Sequence, residues 1–130
     1  MSSASIRRLV RCLTHATLVL TAVGCGPHRR GPDQPLATVM FTNESIDQAT
    51  VYVVAPGADF RRIGTVIPGR TETLTVPADF TNRGTVNFVA RLLARSEVPQ
   101  TGPVSVLPGE RYVIRLQLDG RVLSFLPAGS

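Results

Sequence analysis

The chain has 130 residues, 43% of them hydrophobic and 18% charged, which is a length and composition typical of one globular domain. Its formal net charge is +5, but residues 25–130 hold 11 arginines against 9 acids, a net of +2. So small a basic excess gives no reason to expect nucleic acid as a partner.

The first 24 residues have the organisation of a secretion signal. Arg7, Arg8 and Arg11 precede a run of about eleven mostly apolar residues from Leu13 to Val23, and a basic segment before a short apolar run is typical of a signal peptide. A transmembrane helix needs about 20 apolar residues, so this run is too short to span a bilayer. We therefore predict that residues 1–24 are removed.

The end of this run, Ala22-Val23-Gly24-Cys25, resembles the lipobox of bacterial lipoproteins. The resemblance implies cleavage between Gly24 and Cys25 and the attachment of diacylglycerol and an amide-linked acyl chain, such as palmitate, to Cys25. Several acyl chains hold a protein firmly in a membrane, because each buried methylene contributes about 0.8 kcal/mol. The residue after Cys25 is Gly26 and not the aspartate that favours inner-membrane retention in enteric bacteria. The outer membrane is therefore expected, and the sequence leaves open which of its two faces carries the protein. The alternative is ordinary signal cleavage with Cys25 as a free thiol, or cleavage at another position.

Residues 25–35 are predicted to be a flexible tether, since GPHRRGPDQP follows the cysteine and has three prolines, two glycines and no apolar pattern. The basic group His28-Arg29-Arg30 is a candidate contact for metal or lipid headgroups, although a solvated spacer explains it more simply. With Cys12 in the signal peptide and Cys25 acylated, residues 36–130 contain no cysteine, and we expect no disulfide there.

Residues 36–130 consist of short runs rich in Val, Ile, Thr, Phe and Leu, separated by Pro, Gly, Asp and Asn. This pattern is typical of an all-β domain. Leu92–Val98 is the one candidate for a short helix and is predicted to be a loop. Without crossover helices, the pattern favours an antiparallel, two-sheet sandwich of about 7–8 strands. The predicted strands are Ala37–Thr42, Thr50–Ala55, Arg61–Ile67, Glu72–Val76, Thr85–Ala94, Val104–Leu107, Arg111–Leu118 and Val122–Phe125.

Alternation along the strands predicts which side chains form the core, because successive side chains of a strand face opposite sides of a sheet. Apolar residues two positions apart are assigned to the inner face, and the intervening residues to the solvent. The predicted core residues are Val51, Val53, Leu74, Val76, Val86, Phe88, Ala90, Leu92, Tyr112, Ile114, Leu116, Leu118, Leu123 and Phe125.

The pattern V-[IL]-P-G occurs twice, at residues 66–69 and 106–109. Proline sets the second position of a type II turn, and glycine accepts the positive φ of the third. Type II turns fit tight hairpins poorly, so we predict that both connect one sheet to the other. Chance repetition of four residues is the alternative.

Phe41-Thr42-Asn43, followed by Val51-Tyr52-Val53-Val54 and a strand that ends in Pro-Gly, resembles the small immunoglobulin-like or transthyretin-like domains of bacterial envelope lipoproteins. The resemblance implies a β-sandwich and carries no active-site residue. Residues 36–130 have neither the tryptophan nor the cysteine pair of true immunoglobulin domains.

The sequence offers few groups for catalysis. His15 and His28 both lie outside the predicted domain, so Ser-His-Asp catalysis and a histidine zinc site lack components. Asp59 and Asp79 are candidates for a glycosidase-like pair, although loop acids that cap turns are far commoner. Asn43, Glu44 and Asp47 are candidate calcium ligands, and a polar strand connection explains them equally well. We predict no enzymatic activity, no cofactor and no resident metal.

Four arginines are candidates for binding an anionic ligand. Arg91 and Arg95 have the same alternation parity in one predicted strand, and Arg111 and Arg115 have the same parity in another. If the two strands are neighbours, these side chains form one stripe suited to phosphate or an acidic glycan. A solvated sheet face is the alternative.

Two functions therefore remain open, both at the envelope and both non-catalytic. The favoured hypothesis is a membrane-anchored module that docks another envelope protein through a sheet face or by strand addition. The alternative is a binder of an anionic ligand or surface polysaccharide that uses the arginines. Two tyrosines, five phenylalanines and no tryptophan offer few platforms for stacking sugars or bases. The oligomeric state is left open.

Overall fold

The computed structural model describes residues 34–57 and 59–128. The predicted signal peptide, Cys25 and most of the tether lie outside these residues. Every predicted strand is present, and no strand boundary differs from the prediction by more than two residues. The elements are β1 (Thr38–Asn43), β2 (Ala49–Val54), β3 (Phe60–Val66), β4 (Thr71–Thr75), α1 (Ala78–Thr81), β5 (Thr85–Leu92), β6 (Val104–Ser105), β7 (Arg111–Leu116) and β8 (Leu123–Pro127).

The strands form a two-layer sandwich, as predicted. The first sheet has the order β4-β1-β7-β8 and the second sheet the order β3-β2-β5-β6. All neighbouring strands are antiparallel except β1 and β7, which pair in parallel. The prediction of purely antiparallel sheets is wrong for this pair. No crossover helix is needed, because the chain passes through the second sheet between β1 and β7.

Both V-[IL]-P-G segments are turns between the sheets. Gly69 and Gly109 have φ values of 71° and 79°, and in each turn the amide after the glycine donates to the carbonyl before the proline at 3.3 Å. These are features of type II turns. One turn leads from β3 to β4 and the other from β6 to β7, so the two turns place strands on either side of β1. The prediction of inter-sheet connections is confirmed.

The core lies between the two sheets. The predicted inward residues of β2, β4, β5 and β7 are buried, and the ring of Phe125 stacks on Tyr112 with centroids 5.2 Å apart. Leu118 is the exception. It is 67% exposed, because β7 ends at Leu116 and Leu118 lies in the turn that follows.

The connections contain one element that the pattern did not predict. Helix α1 is a single turn of four residues that begins after Pro77, which is too short to show a helical period. In the segment Leu92–Val98, Leu92 ends β5 and residues 93–98 form a loop with a turn and a bend, as expected. No helix in residues 34–57 and 59–128 is long and apolar enough to cross a membrane.

Candidate protein-docking face

The outer face of the second sheet is built from β3, β2 and β5. Tyr52 lies opposite Arg62 on one side and Val89 on the other, and Val54 lies opposite Phe60 in the same way. Directly paired residues point to the same side of a sheet. Three outward residues from each strand therefore form a grid: Phe60, Arg62 and Thr65 on β3, Val54, Tyr52 and Thr50 on β2, and Asn87, Val89 and Arg91 on β5.

A bulge in β3 makes this grid possible. The register of β2 and β3 shifts between Val51 and Tyr52, which leaves Ile63 as an extra residue in β3. Ile63 is half-buried and packs against the core. Phe60 and Thr65 are five positions apart, so in a regular strand they would face opposite sides, and the extra residue turns both outward.

An apolar groove of about 360 Å³ runs across this face. It is lined by Tyr52, Val54, Phe60, Val89, Arg91 and Val98. The floor, formed by Tyr52, Val54 and Val89, is half-buried, whereas Phe60 and Val98 at the sides are 69% and 48% exposed. The ring of Tyr52 meets that of Phe60 edge-on, with centroids 6.2 Å apart and planes at 63°. The groove is thus a recessed apolar strip with an exposed aromatic wall.

The charged groups of the grid all have one sign. Arg62 donates from its guanidinium to the hydroxyl of Thr65 at 2.6 Å, and Arg91 is exposed at the end of the groove. Within the part of the chain that the structure describes, neither arginine makes an ion pair. No acidic residue belongs to the grid, so this face combines apolar contact area with two unpaired positive charges.

The four arginines proposed from the sequence do not form one stripe. Arg91 lies on the second sheet, whereas Arg111 and Arg115 lie on the first. Their exposed side chains therefore belong to opposite faces of the sandwich, and the condition that their strands be neighbours is not met. Arg95 lies in the loop after β5 and donates from Nε to Asp47 Oδ2 at 2.7 Å.

The outer face of the first sheet has a different chemistry. Thr38, Met40 and Thr42 of β1 lie opposite three threonines of β4, and Thr42 and Thr71 join their hydroxyls at 2.9 Å. On the other side of β1 lie Arg111, Val113 and Arg115. Arg115 pairs with Glu44 at 3.2 Å. This face offers hydroxyl groups and arginines around a row of three apolar side chains, Met40, Val113 and Leu126.

The candidate calcium ligands point to separate partners. Asn43 is fully buried, and its Oδ1 accepts hydrogen bonds from the amide and hydroxyl of Ser45. Glu44 pairs with Arg115, and Asp47 pairs with Arg95. In residues 34–57 and 59–128 no three His, Cys, Asp or Glu side chains are grouped to hold a metal ion. The geometry supports a polar strand connection here.

The candidate catalytic acids belong to surface ion pairs. Asp59 pairs with Arg83, and Asp79 lies 3.8 Å from Arg61. Arg83 also donates from Nε to the carbonyl of Asp79 at 3.0 Å. The acids are thus positioned by arginines that tie the start of β3 to α1.

Three of the four edge strands are poor templates for strand addition. The edge strands are β3 and β6 in the second sheet and β4 and β8 in the first. β3 carries the bulge and two adjacent arginines, β6 has two residues, and β8 ends at Pro127. Bulges, charges, prolines and short strands all discourage pairing with another chain. A sheet face is therefore the better docking surface.

No protein-family model matches this sequence, and no curated protein is significantly similar to it. The site is consequently assigned from its geometry. Sequence reasoning found Arg91 but missed Tyr52, Phe60 and Arg62. Alternation in β2 already placed Tyr52 on the solvent side, whereas Phe60 lay one residue before the predicted start of its strand and the bulge left no sequence signal.

Proposed function

We propose that this protein is a lipoprotein of the bacterial envelope, anchored through Cys25, whose β-sandwich is a non-catalytic module that docks another protein. The observation that carries the docking proposal is the apolar groove beside Tyr52 and Phe60 on the outer face of the second sheet. The lipobox-like segment supports the anchor, and Gly26 favours the outer membrane.

The residue types of the groove support a protein interface. Tyrosine, phenylalanine and arginine are enriched where proteins bind one another, and the strongest contributions come from aromatic side chains that become fully buried. Phe60 is 69% exposed, and burying such a side chain contributes about 2 kcal/mol. A partner that covers Tyr52 and Phe60 together therefore gains binding free energy from two adjacent aromatic side chains.

Within residues 34–57 and 59–128, the path of the chain leaves this face open. Residues 34–37 lead into β1 of the first sheet, and Pro35 lies against Gly109 of the turn between β6 and β7. The described end of the tether is thus on the layer opposite the groove. A tethered domain that enters from one layer keeps the other layer available to a partner.

The strand order supports the transthyretin-like form of the sequence resemblance. In an immunoglobulin domain the second and third strands belong to different sheets. Here β2 and β3 are hydrogen-bonded neighbours in one sheet. We therefore favour a transthyretin-like sandwich over an immunoglobulin-like one.

A second candidate function uses the outer face of the first sheet. Arg111 and Arg115 share one strand beside the threonines of β1 and β4, which suits an anionic ligand or surface polysaccharide. Glu44 already neutralises Arg115, so we rank this function below protein docking.

Site-specific photo-crosslinking in the envelope of the native host tests the proposal. A photoreactive amino acid replaces either Val89 or Val113, which are both half-buried valines on outer faces, one on each sheet. We expect a protein adduct from position 89 and none from position 113. The absence of a protein adduct at position 89, or equal adducts at both, would contradict docking through the second sheet.

A further inference from the structure

We infer that the segment docking on the outer face of the second sheet is acidic: a stretch of another protein in which an aromatic or large aliphatic side chain lies close to two carboxylates. This inference rests on the proposed docking function and names the chemistry of its partner. It follows from the position and pairing of Arg62 and Arg91.

The two arginines flank the centre of the groove. Arg62 is directly opposite Tyr52 on β3, and Arg91 is opposite Thr50, one outward position further along β5. Two strand spacings separate β3 from β5, a distance of about 10 Å. Arg91 also lies about 7 Å further along the strand direction, so the two positions are about 12 Å apart on the diagonal. An extended segment advances about 3.3 Å per residue, and its alternate side chains face the same side. Carboxylates four residues apart, about 13 Å, can therefore reach both guanidinium groups while the apolar side chain midway between them enters the groove.

Most of the other described arginines already have an acidic partner. Of the seven described arginines outside the grid, five have an acidic partner within the chain: Arg61, Arg83, Arg95, Arg115 and Arg121. Arg70 and Arg111 have none, but they lie at opposite ends of the first sheet, away from the groove. The two arginines beside the groove have none among the described residues. A carboxylate from outside the chain would supply the missing partner through charge-assisted hydrogen bonds, which strengthen as the groove is covered and water leaves.

The recessed floor favours a peptide segment over a membrane surface. Tyr52, Val54 and Val89 are half-buried, and they lie between the more exposed Phe60 and Val98. A bilayer surface would contact the exposed sides, whereas a side chain of a partner can enter between them and cover the floor.

A second copy of this chain is a poor occupant. The segment that it could offer is the loop at Ile46, an apolar residue that is 73% exposed and lies between Glu44 and Asp47. Both acids are already paired, with Arg115 and Arg95 respectively. Docking this tip on the groove would have to break those pairs, so a different protein with unpaired carboxylates fits better.

Peptide display tests the inference with a defined probe. Random short peptides displayed on phage are selected on the full-length mature lipoprotein in detergent. Their binding is then measured to two double variants with the same change in charge. The first combines Arg62→Gln with Arg91→Gln. The control combines Arg70→Gln with Arg111→Gln, whose arginines also make no ion pair within residues 34–57 and 59–128 but lie away from the groove.

We expect the selected peptides to combine a large apolar side chain with at least two Asp or Glu residues. Their affinity for the variant with Arg62→Gln and Arg91→Gln should fall about tenfold, because charge-assisted contacts are lost. Their affinity for the control should stay nearly unchanged. Selected peptides without an acidic excess, or equal losses in both variants, would overturn the inference.

Two further readouts separate this inference from the docking proposal. If Tyr52→Ser with Phe60→Ser abolishes peptide binding while the groove arginine variant retains it, docking stands and the acidic chemistry is wrong. In the envelope, a crosslink from position 89 to lipid, or to a second copy of this chain, would overturn the acidic-partner inference by identifying a different occupant.

Discussion

The guanidinium of Arg95 donates a hydrogen bond from Nε to Oδ2 of Asp47 at 2.7 Å, which joins the loop after β5 to the loop after β1. The two side chains are only 27% and 15% exposed. Arg95 also donates to the carbonyl of Asp119, which lies in the turn between β7 and β8. One side chain therefore holds three loops together at this end of the sandwich.

Replacing Arg95 with methionine should lower the free energy of unfolding by about 2 kcal/mol, because a largely buried carboxylate and a carbonyl lose a charged donor. Urea denaturation measures this loss. The control is Arg121→Met, which breaks an ion pair with Glu97 whose members are 68% and 54% exposed, and exposed pairs contribute less than about 1 kcal/mol. Equal losses in the two variants would contradict the structural role of Arg95.

Asn43 organises the connection between β1 and β2 and should be among the most sensitive polar positions. Its fully buried amide donates to the carbonyls of Asp47 and Val66 at 2.8 and 2.9 Å. Asn43→Ala removes both donors and also the acceptor of the Ser45 amide and hydroxyl, and it should cost about 3 kcal/mol in urea denaturation. Thr42→Ala removes only an exposed hydroxyl contact, so a comparable loss there would contradict this account.

Tyr112 secures the turn between β6 and β7. The backbone amide of Leu107 donates to its hydroxyl at 2.9 Å. Tyr112→Phe should therefore lower the free energy of unfolding by about 1 kcal/mol. Tyr52→Phe is the matched control, because that hydroxyl makes no hydrogen bond within the described residues. A loss in Tyr52→Phe as large as in Tyr112→Phe would show that the turn contact contributes nothing specific.

Cys25 and Cys12 give a clean test of the lipid anchor. Cys25→Ala should block incorporation of labelled palmitate, whereas Cys12→Ala should leave it intact, because Cys12 belongs to the predicted signal peptide. The intact mass of the mature protein should correspond to residues 25–130 plus diacylglycerol and an acyl chain. A mass that includes Met1, or an unmodified Cys25, would contradict the lipoprotein proposal.

Local patterns were sufficient for much of the fold. Alternation in β5 separates buried Phe88 from outward Val89. The two Pro-Gly pairs predict the turn type, including the positive φ of each glycine. These features depend on residues that are close in sequence. Alternation continues past the end of β7 and does not show where the turn begins. The predicted strand therefore extended to Leu118, two residues too far.

The candidate site depended on information that local patterns do not contain. Arg91 and Arg111 have equivalent outward positions in their own strands, but only the pairing of distant strands places them on opposite faces. The parallel pairing of β1 and β7 is likewise a consequence of the whole chain path. The groove needed both the strand pairing and the bulge at Ile63, which bring Phe60 beside Tyr52.

The most direct test of the central claim is native electrophoresis of the protein extracted from its own envelope. The groove variant combines Tyr52→Ser with Phe60→Ser, and the control combines Met40→Ser with Leu126→Ser, which removes exposed apolar side chains from the first sheet. Docking through the second sheet predicts that the wild type and the control migrate in a larger complex, whereas the groove variant migrates alone. A groove variant that stays in the complex would contradict the claim.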